Sequence, residues 1–244
     1  MVKMEPVSEV YNLNCMKYMK NIPDKFFNLA IVDPPYGINA PNMNMGSNRN
    51  NISTAERLRK GRLNSGGGKL KDRALQKMPI KWDYKKPSPR YFKELFRVSK
   101  NQIIWGGNYF KLPPSRCIVV WDKKQVWEKF SQVELAWTSF DYPAKIISIG
   151  NRGGANDKLK IHPTQKPVDL YAYLLKTFAK EGDKIFDSHL GSQSSRIAAY
   201  KLGFDFYGCE IDKEYYASAN ERFENECLGI VQTKSGVLTQ QKLF

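Results

Sequence analysis

Residues 184–195 read KIFDSHLGSQSS and residues 207–212 read YGCEID, and these two segments decide the fold. The first segment is a short apolar strand, a turn of small residues and the start of a helix, and the second is a strand that ends in an acid. A strand, a turn, a helix and a second strand form the repeating unit of a parallel sheet covered by helices. Ligands of such sheets bind beyond the carboxyl ends of the strands, so we expect a site at this turn.

The same alternation continues through the chain. Short apolar runs predict strands at residues 7–13, 27–32, 102–105, 116–121, 133–138, 184–187 and 204–210. Helical spacing of apolar residues predicts helices at residues 15–21, 90–98, 167–180, 192–202 and 213–227. The order of these elements predicts an α/β protein with a Rossmann-like, doubly wound and mostly parallel sheet, formed by residues 1–244 as a single domain.

Composition excludes several classes of protein. Of the 244 residues, 41% are hydrophobic and 13% aromatic, which is too apolar for a wholly disordered chain. No apolar run approaches the roughly 18 residues that cross a bilayer, and the first ten residues lack the apolar core of a secretory signal. The four cysteines are scattered without a C-x-x-C pair and there are two histidines, which argues against a disulfide framework and against a zinc site. We expect a protein of a reducing compartment, with no metal.

The net charge of +15 is concentrated in one segment. Residues 41–86 contain twelve Lys or Arg and three acids, hence +9, and are rich in Asn, Ser and Gly. This composition predicts a long loop, with one helical turn near residues 54–59. The loop is either a solvated insertion or a polybasic arm for a nucleic acid backbone. The candidate phosphate contacts are Arg49, Arg57, Arg59, Lys60, Arg62, Lys69, Lys71 and Arg73, with Arg152 and Lys158 further along the chain.

A chemically distinctive motif, Asp33-Pro34-Pro35-Tyr36-Gly37, follows the apolar run of residues 27–32. The two prolines fix their φ angles and lack N–H groups, so the preceding carbonyls are held in place. A carboxylate oxygen and a fixed carbonyl match an amino group with two hydrogens, and the tyrosine ring offers a stacking surface for a base. The alternative is an ordinary Asx-type turn with the tyrosine in the core.

The segment at residues 187–192 suggests an adenosine pocket. Its turn of small residues lets a ligand approach the backbone, and Glu210, at the end of the next strand, is placed to accept hydrogen bonds from ribose hydroxyls. The turn lacks a full G-x-G-x-x-G, so a single adenosine fits better than a dinucleotide. Ordinary strand–turn–helix packing is the alternative.

Three motifs together resemble a known family. D-P-P-Y-G at residues 33–37, H-P-T-Q-K-P at residues 162–167 and D-x-x-x-G-S at residues 187–192 resemble the S-adenosylmethionine-dependent DNA amino-methyltransferases. The resemblance extends from Tyr11 to about Phe223. The catalytic motif comes first and the cofactor motif last, which is the permuted order of the β class on the class I methyltransferase fold. In that family D-P-P-Y is typical of adenine N6 methylation and S-P-P-Y of cytosine N4 methylation, so Asp33 favours adenine.

The resemblance implies roles for particular residues. It assigns catalysis to Asp33, Pro34, Pro35 and Tyr36. It assigns Asp187, Gly191 and Ser192 to the methionine end of the cofactor, Lys166 to its carboxylate and Glu210 to its ribose. The full set of implied cofactor residues is Asn14, Cys15, Asp33, Thr164, Gln165, Lys166, Asp187, His189, Leu190, Gly191, Ser192, Glu210 and Asp212. For each of these, and most of all for Cys15, His162 and Asp212, packing or helix capping is the alternative role.

Two features depart from the family pattern. The turn usually reads D-P-F-x-G-S-G, but here Ser188 and His189 replace Pro and Phe, and Gln193 replaces the second Gly. Because glutamine reaches positive φ less easily than glycine, the geometry of this turn is in question. The spacer that carries target recognition in the family is also short, and we assign it to residues 141–161.

The resemblance implies site-specific methylation of adenine N6 in double-stranded DNA, on a base that is flipped out of the helix. It also implies a role in restriction-modification and a cytoplasmic location, in a protein encoded by a prokaryote or a phage. A homodimer would compensate for the short spacer. Residues 230–244 form a C-terminal tail, and Gln240–Phe244 resemble the Q-x-x-L-F peptides that dock on sliding clamps. The alternatives are cytosine N4 or RNA as the substrate, or a catalytically silent DNA-binding protein on a methyltransferase scaffold.

Overall fold

The structure, a computed structural model, describes residues 5–38, 83–125, 131–150, 161–162, 164–233 and 236–239. Most of the basic segment 41–86, the cations Arg152 and Lys158, and the clamp-like residues Gln240–Phe244 lie outside the described residues. Within the described part of the chain, no helix is long and apolar enough to span a membrane.

Eight strands form one central sheet. They are Ser8–Tyr11 (β1), Phe27–Val32 (β2), Ser99–Trp105 (β3), Ile118–Asp122 (β4), Val133–Thr138 (β5), Lys145–Ser148 (β6), Lys184–Asp187 (β7) and Asp205–Cys209 (β8). Their order across the sheet is β1-β8-β7-β2-β3-β5-β4-β6. β5 runs antiparallel to both of its neighbours, β3 and β4, and the other pairs are parallel. The predicted mostly parallel sheet is therefore confirmed.

Helices cover both faces of this sheet. They are Cys15–Lys20 (α1), Pro89–Val98 (α2), Val168–Phe178 (α3), Ser194–Leu202 (α4) and Lys213–Phe223 (α5). Leu29 and Ile31 of β2 point to the face where α3 and α4 pack, and Ala30 and Val32 point to the face where α1 and α2 pack. Both faces of β2 are buried, which is why its sequence is a continuous apolar run instead of an alternating one. This two-sided burial confirms the doubly wound fold.

The structure differs from the predicted elements at several places. β6 was not predicted, because it is a four-residue edge strand with a single buried side chain, Ile147. The last predicted helix ends as an α-helix at Phe223 and continues as one π-turn over Glu224–Leu228. The predicted tail begins with two antiparallel strands, Ile230–Thr233 (β9) and Gly236–Thr239 (β10). Pro167 precedes α3 as its N-cap, and α4 begins at Ser194 instead of residue 192.

Gly208 brings the second strand of the deciding unit close to the turn after β7. It pairs in register with Asp187, and a Cβ at this position would lie 2.5 Å from Leu190 Cδ2 and 2.8 Å from the Asp187 carbonyl oxygen. Only a residue without a side chain lets β8 pass this close to the turn.

We expect Gly208→Ala to lower the free energy of unfolding by about 1–3 kcal/mol, because a methyl group would overpack this contact. Thermal denaturation measures the effect, at about 2–4 °C per kcal/mol for a chain of this size. Gly150→Ala is the matched control, since a Cβ there would meet nothing within 4 Å. Equal melting temperatures for the two variants would contradict the assignment.

Candidate active site at the carboxyl ends of the strands

Three acidic side chains lie at the carboxyl ends of three neighbouring parallel strands. Asp33 directly follows β2, Asp187 is the last residue of β7, and Glu210 directly follows β8. Because β8, β7 and β2 are adjacent and parallel, the structure brings the two predicted motifs to the same edge of the sheet. This edge is where doubly wound sheets bind ligands.

The Asp33 carboxylate is held from two sides. The Tyr36 hydroxyl donates a hydrogen bond to Oδ1 at 2.6 Å, and the Lys166 ammonium donates to Oδ2 at 2.5 Å. Burial raises the pKa of Asp33, and the positive charge of Lys166 opposes that rise. The motif is therefore not a simple Asx turn, because one partner of its carboxylate, Lys166, is distant in the chain.

Lys166 has partners other than those predicted. Its ammonium lies between Asp33 and a second carboxylate, Glu134 on β5, at 3.1 Å, and its side chain is only 4% exposed. The other oxygen of Glu134 lies 2.5 Å from the Lys123 ammonium. Two protein carboxylates therefore already contact this ammonium, and its pairing with the cofactor's carboxylate stays a prediction.

Sequence reasoning missed Glu134 and Lys123. Burial opposes ionisation of Glu134, but Lys166 and Lys123 outweigh it and lower the pKa of this carboxyl. The same two carboxylates raise the pKa of Lys166 against the opposing effect of burial. Nothing in the sequence marks either residue, since each is one polar residue beside or within an apolar strand. The pairing exists only because β4 and β5 are neighbours.

The Tyr36 ring is already stacked in the structure. It packs on Tyr109 with ring centroids 5.0 Å apart and an angle of 14° between the planes. Gly106, at φ +68°, also lies against this ring, because a Cβ there would come within 2.3 Å of it. The ring that we expect to offer a stacking surface is therefore itself one member of a Tyr36–Tyr109 pair, and sequence reasoning missed Tyr109.

The turn after β7 is fixed by its two acids. Asp187 accepts hydrogen bonds from the Ser195 hydroxyl at 2.6 Å and the His189 N–H at 3.0 Å, while burial raises its pKa to about 7. Glu210 accepts the backbone N–H of Gly191 at 2.8 Å and that of Asp212 at 2.9 Å. Each acid thus connects the end of one strand to the backbone of this turn.

Gln193 adopts the conformation that the family pattern gives to glycine. Its φ is +58°, and its fully buried side chain is bonded at both ends. The amide nitrogen donates to Asn220 Oδ1 at 2.9 Å, and the amide oxygen accepts from Arg196 at 2.9 Å. The departure from the pattern is therefore compatible with the turn, because these bonds offset a backbone strain of about 1 kcal/mol.

The second departure, at Ser188 and His189, forms a hydrogen-bonded chain. The Tyr91 hydroxyl lies 2.7 Å from the Ser188 hydroxyl, which lies 2.9 Å from His189 Nδ1. Burial lowers the pKa of His189 to about 4, so the ring is neutral at pH 7. The next residue, Leu190, is buried beneath the turn.

The H-P-T-Q-K-P segment lies beside this turn. The His162 ring packs on Tyr215 with centroids 4.3 Å apart, and its Nδ1 lies 3.2 Å from the Thr164 hydroxyl. The buried Gln165 accepts the Ile161 N–H at 3.1 Å. This segment therefore connects the Asp33 end of the site, through Lys166, to the turn.

Two of the predicted cofactor residues cap helices. Asn14 accepts the N–H groups of Met16 and Lys17 at the start of α1, and Asp212 accepts those of Glu214 and Tyr215 at the start of α5. Burial raises the pKa of Cys15 to about 11, so this thiol is protonated at neutral pH. Ser192 is buried, with its hydroxyl 3.2 Å from that of Ser194.

Gly37, four residues before the basic segment, contacts the described end of that segment beside Tyr36. The Gly37 N–H donates to the buried Asp83 carboxylate at 2.9 Å, and Lys86 donates to the Tyr109 carbonyl at 3.0 Å. We call these four residues, Gly37, Asp83, Lys86 and Tyr109, the neck. The described residues of the segment therefore join it to the Tyr36–Tyr109 pair.

Gly191 lies between the Glu210 carboxylate and the His162 ring. Its φ is +48°, its N–H donates to Glu210, and a Cβ there would lie 3.7 Å from the His162 ring. The donors and acceptors fit the adenosine of S-adenosylmethionine. Among the described residues, no group of three His, Cys, Asp or Glu side chains is placed to hold a metal ion.

Comparison with known proteins gives the family. The model of the DNA methylase family of N6 and N4 methyltransferases matches residues 71–221. The type II methyltransferase M2.DpnII of Streptococcus pneumoniae is 29% identical over 147 residues, which are 60% of this chain and 50% of that protein. The chain thus spans about half the length of this relative.

Solved structures agree on the fold. The complex of M1.HpyAVI with S-adenosylmethionine has a TM-score of 0.51 and 15% identity, over 88% of this chain and 98% of that one. The cytosine-N4-specific PvuII DNA methyltransferase has a TM-score of 0.52 and 13% identity, over 88% of each chain. Since the family match covers more than half of the residues, the chain belongs to the N6/N4 family of DNA methylases.

Proposed function

We propose that this protein transfers a methyl group from S-adenosylmethionine to N6 of an adenine in DNA. Membership in the N6/N4 family supports the cofactor and the class of reaction. The observation that carries the proposal is the Asp33 carboxylate, fixed at the carboxyl end of β2 by Tyr36 and Lys166 and followed by the carbonyl of Pro34.

Asp33 and Pro34 would act on the amine itself. The nitrogen of an exocyclic amine is a poor nucleophile because its lone pair is delocalised into the ring. The Asp33 carboxylate and the Pro34 carbonyl would each accept one N–H, which favours a pyramidal nitrogen with a free lone pair. Positive charge develops on this nitrogen during attack, and the Asp33 carboxylate stabilises it. The Tyr36 and Lys166 contacts hold the acceptor in place beforehand, which is a positioning effect.

S-adenosylmethionine supplies the methyl group when bound. Glu210 would accept the ribose hydroxyls, since each carboxylate oxygen retains a lone pair beyond its bond to Gly191 or Asp212. Asp187, Gly191 and Ser192 would hold the methionine end. The neutral His189 ring would lie beside it and add no charge.

An adenine in duplex DNA is stacked and paired, so it would have to be flipped out of the helix, at a cost of a few kcal/mol. The Tyr36–Tyr109 pair would receive the extruded ring, and stacking of this kind contributes about 1–3 kcal/mol per base. The basic segment, joined to this pair by the neck, would hold the phosphates. Phosphate contacts of this kind supply affinity and leave sequence reading to other groups.

Cytosine N4 is the second candidate substrate. The PvuII methyltransferase, which shares this fold, is specific for it. Aspartate at the first position of D-P-P-Y supports adenine. We expect nucleoside mass spectrometry of DNA from cells that express the protein to detect N6-methyladenine. N4-methylcytosine in its place would overturn the choice of base and leave methyl transfer intact.

We expect Asp33→Asn to reduce methyl transfer by at least about 10²–10³-fold, because the amide no longer stabilises positive charge on the nitrogen. Affinity for S-adenosylmethionine, measured by calorimetry, should change little. Asp141→Asn is the control, since this side chain is 87% exposed and its carboxylate pairs with Arg116. Substantial transfer by Asp33→Asn would contradict the assignment.

Neutralising the basic segment should weaken DNA binding and flatten its dependence on salt. If four residues, Arg57, Arg59, Lys60 and Arg62, each contact a phosphate, their replacement by Gln lowers the slope of log K against log salt by about 0.9 per residue. The control replaces four exposed helical lysines, Lys17, Lys20, Lys93 and Lys176. An equal slope in the two quadruple variants would exclude a DNA-binding role for these arginines and Lys60.

A further inference from the structure

Four side chains of alternating charge form a row that begins at Asp33. Lys166 contacts Asp33 at 2.5 Å and Glu134 at 3.1 Å, and Glu134 contacts Lys123 at 2.5 Å. The exposed fractions of these side chains are 4% for Lys166, 11% for Lys123, 18% for Asp33 and 24% for Glu134. We call these four residues the charge row. It crosses the sheet from the end of β2 to the end of β4.

The charge row is balanced when all four members are present, and it loses this balance when any one of them is removed. Two ammonium groups and two carboxylates sum to zero. Lys166 is shared between two carboxylates, and Lys123 matches the charge of Glu134 from the other side. Without Lys123, one buried ammonium would face two carboxylates. An unmatched buried charge is costly, and a proton taken up by one of the carboxylates would relieve it.

We propose that Lys123 and Glu134 are positioning residues for the reaction at Asp33. Lys123 neutralises Glu134, so that the Lys166 ammonium keeps Asp33 ionised and oriented while it accepts an N–H of the amine. The inference rests on the proposed function, because it assigns these residues to the same site. Neither residue contacts Asp33 directly, so both act through Lys166.

Other titratable groups also face Asp33. They are Tyr36 of the same motif, Tyr171 of α3 and Asp187 at the end of β7. Burial raises the pKa of both tyrosines well above its usual value, so they stay neutral throughout an assay between pH 5.5 and 9. Asp187 titrates near pH 7 and is retained in every variant below, so differences between variants report on the charge row.

The test measures single-turnover methyl transfer to duplex DNA against pH. Lys123→Gln leaves one positive and two negative charges, so the acid limb of the pH profile should shift to higher pH by about one unit. On the acid limb, a shift of one unit means that the variant is about tenfold slower than the native protein at the same pH. At pH 9 its rate should stay within about threefold of the native rate. Glu134→Gln leaves Asp33 as the one carboxylate that Lys166 contacts in the charge row, so the acid limb of its profile should not shift to higher pH.

The double variant, Lys123→Gln with Glu134→Gln, separates charge balance from loss of structure. It restores equal numbers of positive and negative charges, so its acid limb should return to the native position. If Lys123 had a merely structural role, the second substitution would lower the rate of methyl transfer further. Lys123→Arg should keep the native profile, since it keeps the charge. Lys124→Gln is the matched control, because this neighbouring lysine is exposed.

The outcomes separate this inference from the proposed function. No transfer by the native protein on any duplex, with DNA and S-adenosylmethionine both bound, would overturn the proposed function. Transfer by the native protein with an unmoved acid limb in Lys123→Gln, or with no return in the double variant, would overturn the role of the charge row alone. If Lys123→Gln does not fold, as judged by thermal melting, the double variant decides, since it should fold and keep the native acid limb.

Discussion

The contact between Lys166 and Asp33 is the interaction on which the site depends. It joins two segments that are 133 positions apart in the chain, through an ammonium group that is almost fully buried. A buried charge of this kind is stable only with close partners, and breaking one such pair costs about 3–5 kcal/mol. The second carboxylate, Glu134, and its own partner, Lys123, follow from that requirement. The loop after β2 and the segment before α3 are therefore fixed relative to each other by charge as well as by packing.

The sheet order makes this contact possible. β2 lies between β7 and β3, and β5 lies on the far side of β3, so the loop after β2 has the turn after β7 on one side and the start of β5 beyond β3 on the other. The antiparallel direction of β5 matters here, because it brings Glu134, near the start of that strand, to the edge where the parallel strands end. A parallel strand in this place would present its last residues instead.

Much of the fold was accessible from the sequence, because buried parallel strands are continuous apolar runs and helices have apolar spacing. Phe27–Val32, Val133–Thr138 and Lys184–Asp187 were predicted with the bounds that the structure has. The D-P-P-Y motif and Glu210 were accessible because short motifs encode local chemistry. Lys123, Glu134 and Tyr109 were not, since their roles arise from strand neighbours that one sequence does not reveal. The sequence shows Gln193 as a departure from the family pattern, but its hydrogen bonds to Asn220 and Arg196 depend on packing between α4 and α5.

The neck has a consequence for how such a protein can change over time. Gly37 follows the D-P-P-Y motif and Asp83 precedes α2, and these two residues are hydrogen-bonded to each other. This hydrogen bond fixes the two ends of the intervening stretch relative to each other. The number of residues in that stretch therefore does not affect the distances between the side chains around Asp33. Insertions and deletions between residues 38 and 82 would therefore leave the contacts around Asp33 in place, so the length of this stretch can change over time while the core is inherited unchanged.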